Sequence, residues 1–189
     1  MSKRRSGTDD PRGQDRSTLR HVLVVGGTLD EWDDLGESRW TERRMELAKI
    51  VAHAGATWLT LRPYGDASAT RTSVASRLID LHEDCTVIVD PAPDGRHRFL
   101  AAIEQLRNLP AGDIDESMLA GALMAPAPFE PDLTVILGPS TRLPPSLVWE
   151  LSYCELVFID TAWPDLAGVH IEQAISEFAH RHRRFGGIE

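Results

Sequence analysis

The sequence predicts an α/β fold in which helices flank a mostly parallel central sheet. Three observations lead to this prediction. Short runs of β-branched and aliphatic residues recur along the chain, most of them end in Gly, Pro or Asp, and longer amphipathic segments separate them. Strands that alternate with helices at this spacing form βαβ units, which place the strands side by side in parallel.

The predicted strands are five residues long. We expect them at 21–25, 57–61, 85–89, 133–137 and 155–159. Continuous apolar runs bounded by turn residues are typical of strands that are buried on both faces of a parallel sheet.

Helices are expected between these strands. Apolar residues at helical spacing predict helices over 39–54, 72–83, 98–109, 147–153 and 168–183, and a short helix that begins at Asp113 or Asp115 and runs through Leu123. The residues expected to face the core include Met45, Leu47, Ile50, Val51, Phe99, Leu100, Ile103, Leu106, Val169, Ile171, Ile175 and Phe178. The acidic stretch 29–38 is expected to form a loop.

Length and composition favour one domain behind a tail. The chain has 189 residues, of which 42% are hydrophobic, and a chain of this size can bury a substantial core. Residues 1–20 carry six basic and three acidic side chains with almost no large apolar ones. We therefore expect a disordered basic tail over 1–20 and one domain over 21–189.

The charge distribution argues against binding to nucleic acid. The net charge of −9 becomes −12 for residues 21–189 alone, whereas neutralising phosphates requires clustered Lys and Arg. The spread basic residues of the tail are a weak signal for an anionic membrane, so any membrane contact is expected to be peripheral. Two distant cysteines, Cys85 and Cys154, and the absence of a 20-residue apolar run predict a cytoplasmic protein.

Three features are candidates for a functional site. Gly26-Gly27 follows the first strand, where backbone N–H groups can approach a phosphate, but neither G-x-G-x-x-G nor a Walker lysine is present. The four acids within 30–34 either bind Mg²⁺ or form a solvated face, which is the commoner role of adjacent loop acids. Glu155 stands at the entrance to an apolar strand, where an unpaired carboxylate is costly, so a cation or an arginine should satisfy it.

The last third of the chain carries a long motif. It runs through Trp149-Glu150-Leu151-Ser152-Tyr153-Cys154-Glu155-Leu156-Val157-Phe158 and Trp163-Pro164-Asp165 to Arg183-Arg184-Phe185-Gly186-Gly187. These segments resemble the C-terminal signature of the cis-prenyltransferases, the undecaprenyl diphosphate synthase family. Arg142-Leu143 falls at that family's Arg-Leu-Ser-Asn position, and the resemblance extends more loosely over 21–189.

The resemblance implies a dimeric α/β protein that condenses isopentenyl diphosphate with an allylic diphosphate in the presence of Mg²⁺. In such enzymes the allylic diphosphate ionises and the isopentenyl double bond attacks, while a metal and arginines stabilise the departing diphosphate. Isoprenyl diphosphates are thus the expected ligands.

Several positions depart from the family's pattern. The family's first strand leads into Met-Asp-Gly-Asn-Gly-Arg-Trp, but this chain has Gly27 at the aspartate position and Glu31 at the arginine position. Ile136, the fourth residue of the predicted strand 133–137, stands where the family has an arginine. Pro144 stands where the family has a serine after Arg142-Leu143. The stretch from 71 to 85 is short where the family has a long helix and another strand, which implies a truncated product tunnel.

These departures favour a catalytically inert accessory subunit of a heteromeric cis-prenyltransferase, of the Nogo-B receptor type. Such subunits resemble this chain in Gly138-Pro139 and in an Arg-x-Gly tail. The resemblance implies that Arg184 and Gly186 bind substrate diphosphate in the active site of a catalytic partner subunit. Mg²⁺ would then be held mainly by that partner.

Two alternatives stay open at this point. In one, the chain is a divergent homodimeric synthase of short products that is active alone. Arg142 and Glu155 then survive as ligands, Glu155 binds the metal, and Asp30 substitutes for the missing aspartate. In the other, the chain is a binding module that kept the fold and serves another pathway.

Overall fold

A computed structural model of the chain describes residues 18–65, 77–107, 114–152 and 154–185. Within them lies a six-stranded sheet with the order β3-β4-β2-β1-β5-β6. The strands are β1 His21–Val25, β2 Trp58–Arg62, β3 Leu78–His82, β4 Cys85–Val89, β5 Leu133–Leu137 and β6 Glu155–Ile159. β1, β2, β4, β5 and β6 run parallel, and β3 is antiparallel to β4. The predicted α/β fold with a mostly parallel sheet is confirmed.

Helices cover both faces of the sheet. They are α1 Leu29–Asp34, α2 Glu37–His53, α3 Gly95–Arg107, α4 Glu116–Met124 and α5 Gly168–Phe185, with short 3-10 turns at Glu150–Ser152 and Trp163–Asp165. α2 and α5 pack on one face around a large apolar core that includes Val22 and Val24 of β1. The opposite face, which carries Leu23 and Val25, is covered by α3, α4 and the segment 138–152.

The helix predicted over 72–83 is wrong in its second half. Leu78–His82 forms β3, which pairs with β4 in a hairpin whose turn contains Glu83 at φ 52°. Apolar residues at 78, 79 and 81 suit either structure, and the tight turn makes the hairpin possible. The stretch from 71 to 85, which is short compared with the family, therefore contains a strand. Residues 66–76 fall in a gap between the described ranges.

Other boundaries also differ from the predictions. Leu19 is buried and Arg20 donates to the Asp132 carboxylate, so the end of the expected tail belongs to the folded domain; the tail's first 17 residues precede the described part of the chain. Met45, Leu100 and Val169 were expected in the core but are 52%, 58% and 62% exposed. The helix expected over 147–153 is one 3-10 turn. In the described ranges, we find no helix with the length and apolar character needed to cross a bilayer.

Candidate functional site

The loops that follow the parallel strands meet at one edge of the sheet, which we call the carboxyl edge. It is formed by the segments 26–28, 63–65, 90–94, 138–149 and 160–165. Open α/β sheets bind their ligands at this edge. It also contains Gly27 and Arg142, two of the positions singled out in the sequence.

Gly27 has no room for a side chain. A Cβ atom placed on it would lie 2.6 Å from Cγ of Trp163, closer than carbon atoms approach in proteins, and 3.0 Å from Cδ1 of Trp32. The backbone at Gly27 has φ +72°, a conformation that favours glycine. The space that a side chain at residue 27 would need is therefore filled by the indole of Trp163.

Three tryptophans close the site around Gly27. The rings of Trp32 and Trp163 stack with centroids 5.2 Å apart, and Trp40 lies against both. The indole N–H of Trp32 donates to the Gly26 carbonyl at 2.9 Å. Arg43 donates to the Trp163 carbonyl at 2.6 Å, which holds this aromatic cluster in place.

The stretch after Gly27 is a helix rather than the expected loop. The Thr28 hydroxyl accepts from the Glu31 N–H at 3.2 Å, and the Glu31 carboxylate accepts from the Thr28 N–H at 2.7 Å. This reciprocal pair is a capping box that begins α1. Because a carboxylate of the chain itself occupies the helix N-terminus, a diphosphate would meet a negative charge where it needs N–H donors.

Sequence reasoning missed four charged residues beneath the carboxyl edge, which we call the ion quartet: Arg62, Asp90, Arg98 and Glu150. Glu150 accepts from Arg62 Nη1 at 2.5 Å and from Arg98 Nη2 at 2.9 Å. The Asp90 Oδ2 lies 3.3 Å from Arg62 Nε and 3.2 Å from Arg98 Nε. The quartet thus joins the ends of β2 and β4 to α3 and to the 3-10 turn before β6.

Burial and charge oppose each other in the quartet. The side chains of Arg62 and Glu150 are 3% and 0% exposed. Burial by itself would raise the pKa of Glu150, but Arg62 and Arg98 overcome this and lower it to about 2. Burial also lowers the pKa of the Arg98 guanidinium. Two arginines and two carboxylates cancel, so the quartet is a neutral structural clamp and offers no unpaired charge to a ligand.

The neighbouring cavity is small. It has a volume of about 10 Å³ and is bordered by His21, Thr60, Arg62 and Leu123, among others, so it has room for about one water molecule. The His21 Nδ1 faces the Phe129 carbonyl at 2.9 Å and its Nε2 faces the Thr60 hydroxyl at 2.9 Å. Burial lowers the pKa of His21 to about 4, so the imidazole is neutral and Nδ1 carries the proton.

The remaining predicted ligands differ in their surroundings. Ile136 is fully buried against Leu23 and Val25 and is part of the core. Arg142 is exposed, and its carbonyl accepts from the Tyr64 hydroxyl at 2.9 Å. Asp30 lies exposed in the first turn of α1.

Glu155 lies at the opposite edge of the sheet from Arg142. It begins β6 and is in register with Leu133, whereas Arg142 follows the end of β5. Its carboxylate accepts a hydrogen bond from Arg181 of α5, which raises the pKa of the Arg181 guanidinium. The expectation that an arginine satisfies Glu155 is met, and that arginine is Arg181.

The described residues do not fit Mg²⁺, on which the family in general depends. Gly27 carries no carboxylate and is covered by Trp163, and Glu155 is paired with Arg181 at the far edge. In the part of the chain that the structure describes, no three His, Cys, Asp or Glu side chains are grouped as metal ligands would be. Gly186 falls beyond the last described residue, and Arg184 is described only as part of the α5 backbone.

Comparison with known sequences finds the same family as the motif in the last third of the chain. A family model described as "Putative undecaprenyl diphosphate synthase" matches residues 61–186. Over 83 residues the chain is 42% identical to a ditrans,polycis-undecaprenyl-diphosphate synthase of Lactiplantibacillus plantarum, a match that covers 42% of this chain and 32% of that protein. Over 100 residues it is 37% identical to an isoprenyl transferase of Bacillus subtilis, with coverage of 50% and 38%. The matches thus span about a third of the length of these relatives.

Solved structures show the same fold. The chain is similar to a probable undecaprenyl diphosphate synthase from Campylobacter jejuni, with a TM-score of 0.57 and 19% identity over 89% of this chain and 98% of the other. It is also similar to lavandulyl diphosphate synthase from Lavandula x intermedia, with a TM-score of 0.59 and 17% identity over 87% and 97%. At such identities the likeness concerns the fold.

Proposed function

We propose that this chain, which belongs to the undecaprenyl diphosphate synthase family of prenyltransferases, serves prenyl chain synthesis as a catalytically inert accessory subunit of a heteromeric enzyme. Its partner is a catalytic cis-prenyltransferase subunit that holds Mg²⁺ and the isoprenyl diphosphates. The observation that carries the proposal is the packing of Trp163 against Gly27, which fills the position of the missing carboxylate.

Three further contacts support an inert site. Glu31 caps α1 with a negative charge at the position of a phosphate-binding arginine. Ile136 is buried among apolar side chains, so that position presents no cation to a diphosphate. The ion quartet uses the buried charges near the carboxyl edge to neutralise one another. Each of these contacts removes one interaction that stabilises a departing diphosphate.

The last third of the chain, from residue 131 onward, forms regular secondary structure by contrast. β5 and β6 pair in full register over five residues, and α5 packs its buried face against the sheet. This third carries the Arg-x-Gly sequence of Arg184 and Gly186 near its end. Donation of that tail to a partner's active site requires an intact C-terminal helix and no intact site in this chain.

The proposal is tested by assaying the chain alone and together with the catalytic homologue of its host. With Mg²⁺, isopentenyl diphosphate and an allylic diphosphate, the isolated chain should form no product. Co-expressed with the catalytic subunit, it should co-elute with it on size-exclusion chromatography and raise its turnover. The stimulation should be lost on Arg184→Ala and kept on Arg107→Ala, which alters an exposed arginine of α3.

Mg²⁺-dependent turnover by the isolated chain would overturn the proposal. If that turnover were abolished by Asp30→Ala, it would support a homodimeric synthase instead. Failure to bind the catalytic subunit would support a binding module of another pathway. As an accessory subunit, the chain should act in the cytoplasm with at most peripheral membrane contact.

A further inference from the structure

We infer that Arg181 is the positioning residue of the C-terminal Arg-x-Gly sequence, because its ion pairs with Glu155 and Glu177 hold the last turns of α5 just before Arg184. This inference rests on the proposed function, since it concerns the tail that would be lent to a partner. It gives Glu155 a role different from that of a metal ligand.

The contacts of Arg181 join the last turns of α5 to the start of β6. Its Nη1 donates to the Glu155 carboxylate and, at 3.1 Å, to the Leu156 carbonyl, while its Nη2 donates to the Glu177 carboxylate one helical turn earlier. One guanidinium thus bridges a helix and a strand through three oxygens. Such forked geometry orients a side chain better than a single ion pair does.

Arg181 also continues the face by which α5 packs on the sheet. Among the side chains of this helix that the structure describes, the buried hydrophobic ones are Ile171, Ala174 and Phe178, at spacings of three and four. Residue 181 is the next position of that series, and residues at this spacing share one helix face. Among the α5 side chains that the structure describes, Arg181 is therefore the last one that ties the helix to the sheet.

The tail begins directly beyond this contact. Arg184 follows Arg181 by three residues, which is a rise of about 4.5 Å along a helix. Helix ends that are not held by tertiary contacts fray. Loss of the Arg181 contacts should let the last turn of α5 fray. Arg184 and Gly186 would then no longer be held in one orientation relative to the domain.

A double-mutant cycle in the complex with the catalytic subunit tests this inference. Arg181→Met, which keeps the aliphatic stem, should lower the stimulated kcat/KM about tenfold, within the loss of up to ~100-fold known for displaced catalytic groups. The effect should lie mainly in KM for the diphosphate substrate. In the Arg184→Ala background the same change should add nothing, because both act through the tail.

Three further variants test the ion pairs of Arg181. Arg181→Lys should recover part of the activity that Arg181→Met loses. Glu155→Gln should lose more activity than Glu172→Gln, which alters an exposed acid of α5. Affinity for the catalytic subunit should be unchanged. The side chains of Arg181, Glu155 and Glu177 are 33–41% exposed, so salt screens their ion pairs. The difference in stimulated kcat/KM between wild type and Arg181→Met should therefore become smaller at high salt.

Hydrogen exchange on the isolated chain supplies a readout that needs no partner. Amides of residues 179–185 should exchange faster in Arg181→Met, while those of 171–178 should stay protected. Unchanged exchange would overturn this inference and leave the proposed function standing. So would a double variant in which the losses of stimulated kcat/KM from Arg181→Met and Arg184→Ala multiply. Absence of any stimulation by the wild-type chain would instead overturn the proposed function.

Discussion

Arg62 and Glu150 form an ion pair in the interior of the protein, although 88 residues separate them in sequence. Their side chains are 3% and 0% exposed, and Nη1 lies 2.5 Å from Oε1. Arg98 binds the same carboxylate oxygen. Removing one member of a buried ion cluster leaves the others without compensation, which is more costly than the cluster's own net contribution to stability.

Glu150→Ala should therefore destabilise the domain strongly. We expect the free energy of unfolding to fall by about 3–5 kcal/mol, because Arg62 and Arg98 would be left with Asp90 alone. Urea unfolding followed by circular dichroism measures the loss. Glu104→Ala, in an exposed position of α3, is the matched control, and equal effects of the two changes would contradict a buried clamp.

The same carboxylate should make stability depend on pH in acid. The pKa of Glu150 is lowered from 4.5 to about 2 in the folded state. The stabilisation is therefore fully present above pH 4.5 and is lost as the pH falls toward 2. Unfolding free energies of wild type and Glu150→Gln should converge over this range, by roughly 3 kcal/mol. A difference that stays constant from pH 6 to pH 2 would count against the pairing.

His21 should add a second pH-dependent step at higher pH. Burial lowers its pKa from 6.5 to about 4, so between these values the unfolded chain binds a proton that the folded chain does not. Stability should then fall as the pH drops from 6.5 to about 4, by roughly 3 kcal/mol. The step should be absent from His21→Gln when unfolding is measured across this range. If the variant keeps the step, another group is responsible.

Much of the fold could be predicted from the sequence, because each parallel strand is a continuous apolar run closed by turn residues. β3 could not, since Leu78, Ile79 and Leu81 fit a helix as well as a strand. Only the Glu83 turn, which lacks the usual Asn-Gly or Asp-Gly signal, decides between them. The beginning of α1 did have a signal, the Thr28-x-x-Glu31 capping box, which the acidic run concealed.

The site was less predictable than the fold. Substitution at Gly27 and Glu31 was visible in the motif, but the cause of closure lies in Trp163, more than a hundred residues away. Arg62 ends β2 and Asp90 directly follows β4, and these two strands are neighbours in the sheet, so their pairing could have been suspected from topology. Glu150 lies in an irregular segment, and its partners depend on how that segment folds back over the sheet.

The capping box should be tested by changing one partner at a time. Glu31→Ala removes the acceptor of the Thr28 N–H and a negative charge at the start of α1, and it should lower the free energy of unfolding by about 1 kcal/mol. Asp34→Ala, in the last turn of the same helix, should have a smaller effect. Urea unfolding compares the two. A more stable Glu31→Ala variant would mean that the box does not hold α1.

Because Trp163 fills the space beside Gly27, this position should not accept an aspartate. Gly27→Ala should cost about 1–3 kcal/mol more in unfolding free energy than Gly36→Ala. Both positions have nearly the same backbone, with φ of +72° and +73°, but only at Gly27 does the new Cβ meet Trp163, whereas nothing lies within 4 Å at Gly36. Thermal unfolding separates this overlap from the conformational strain that both share. Gly27→Asp should be destabilised in the same way and should gain no Mg²⁺-dependent turnover without a partner. Turnover by the isolated variant would show that Trp163 yields to a side chain and that the closed site is reversible by one substitution.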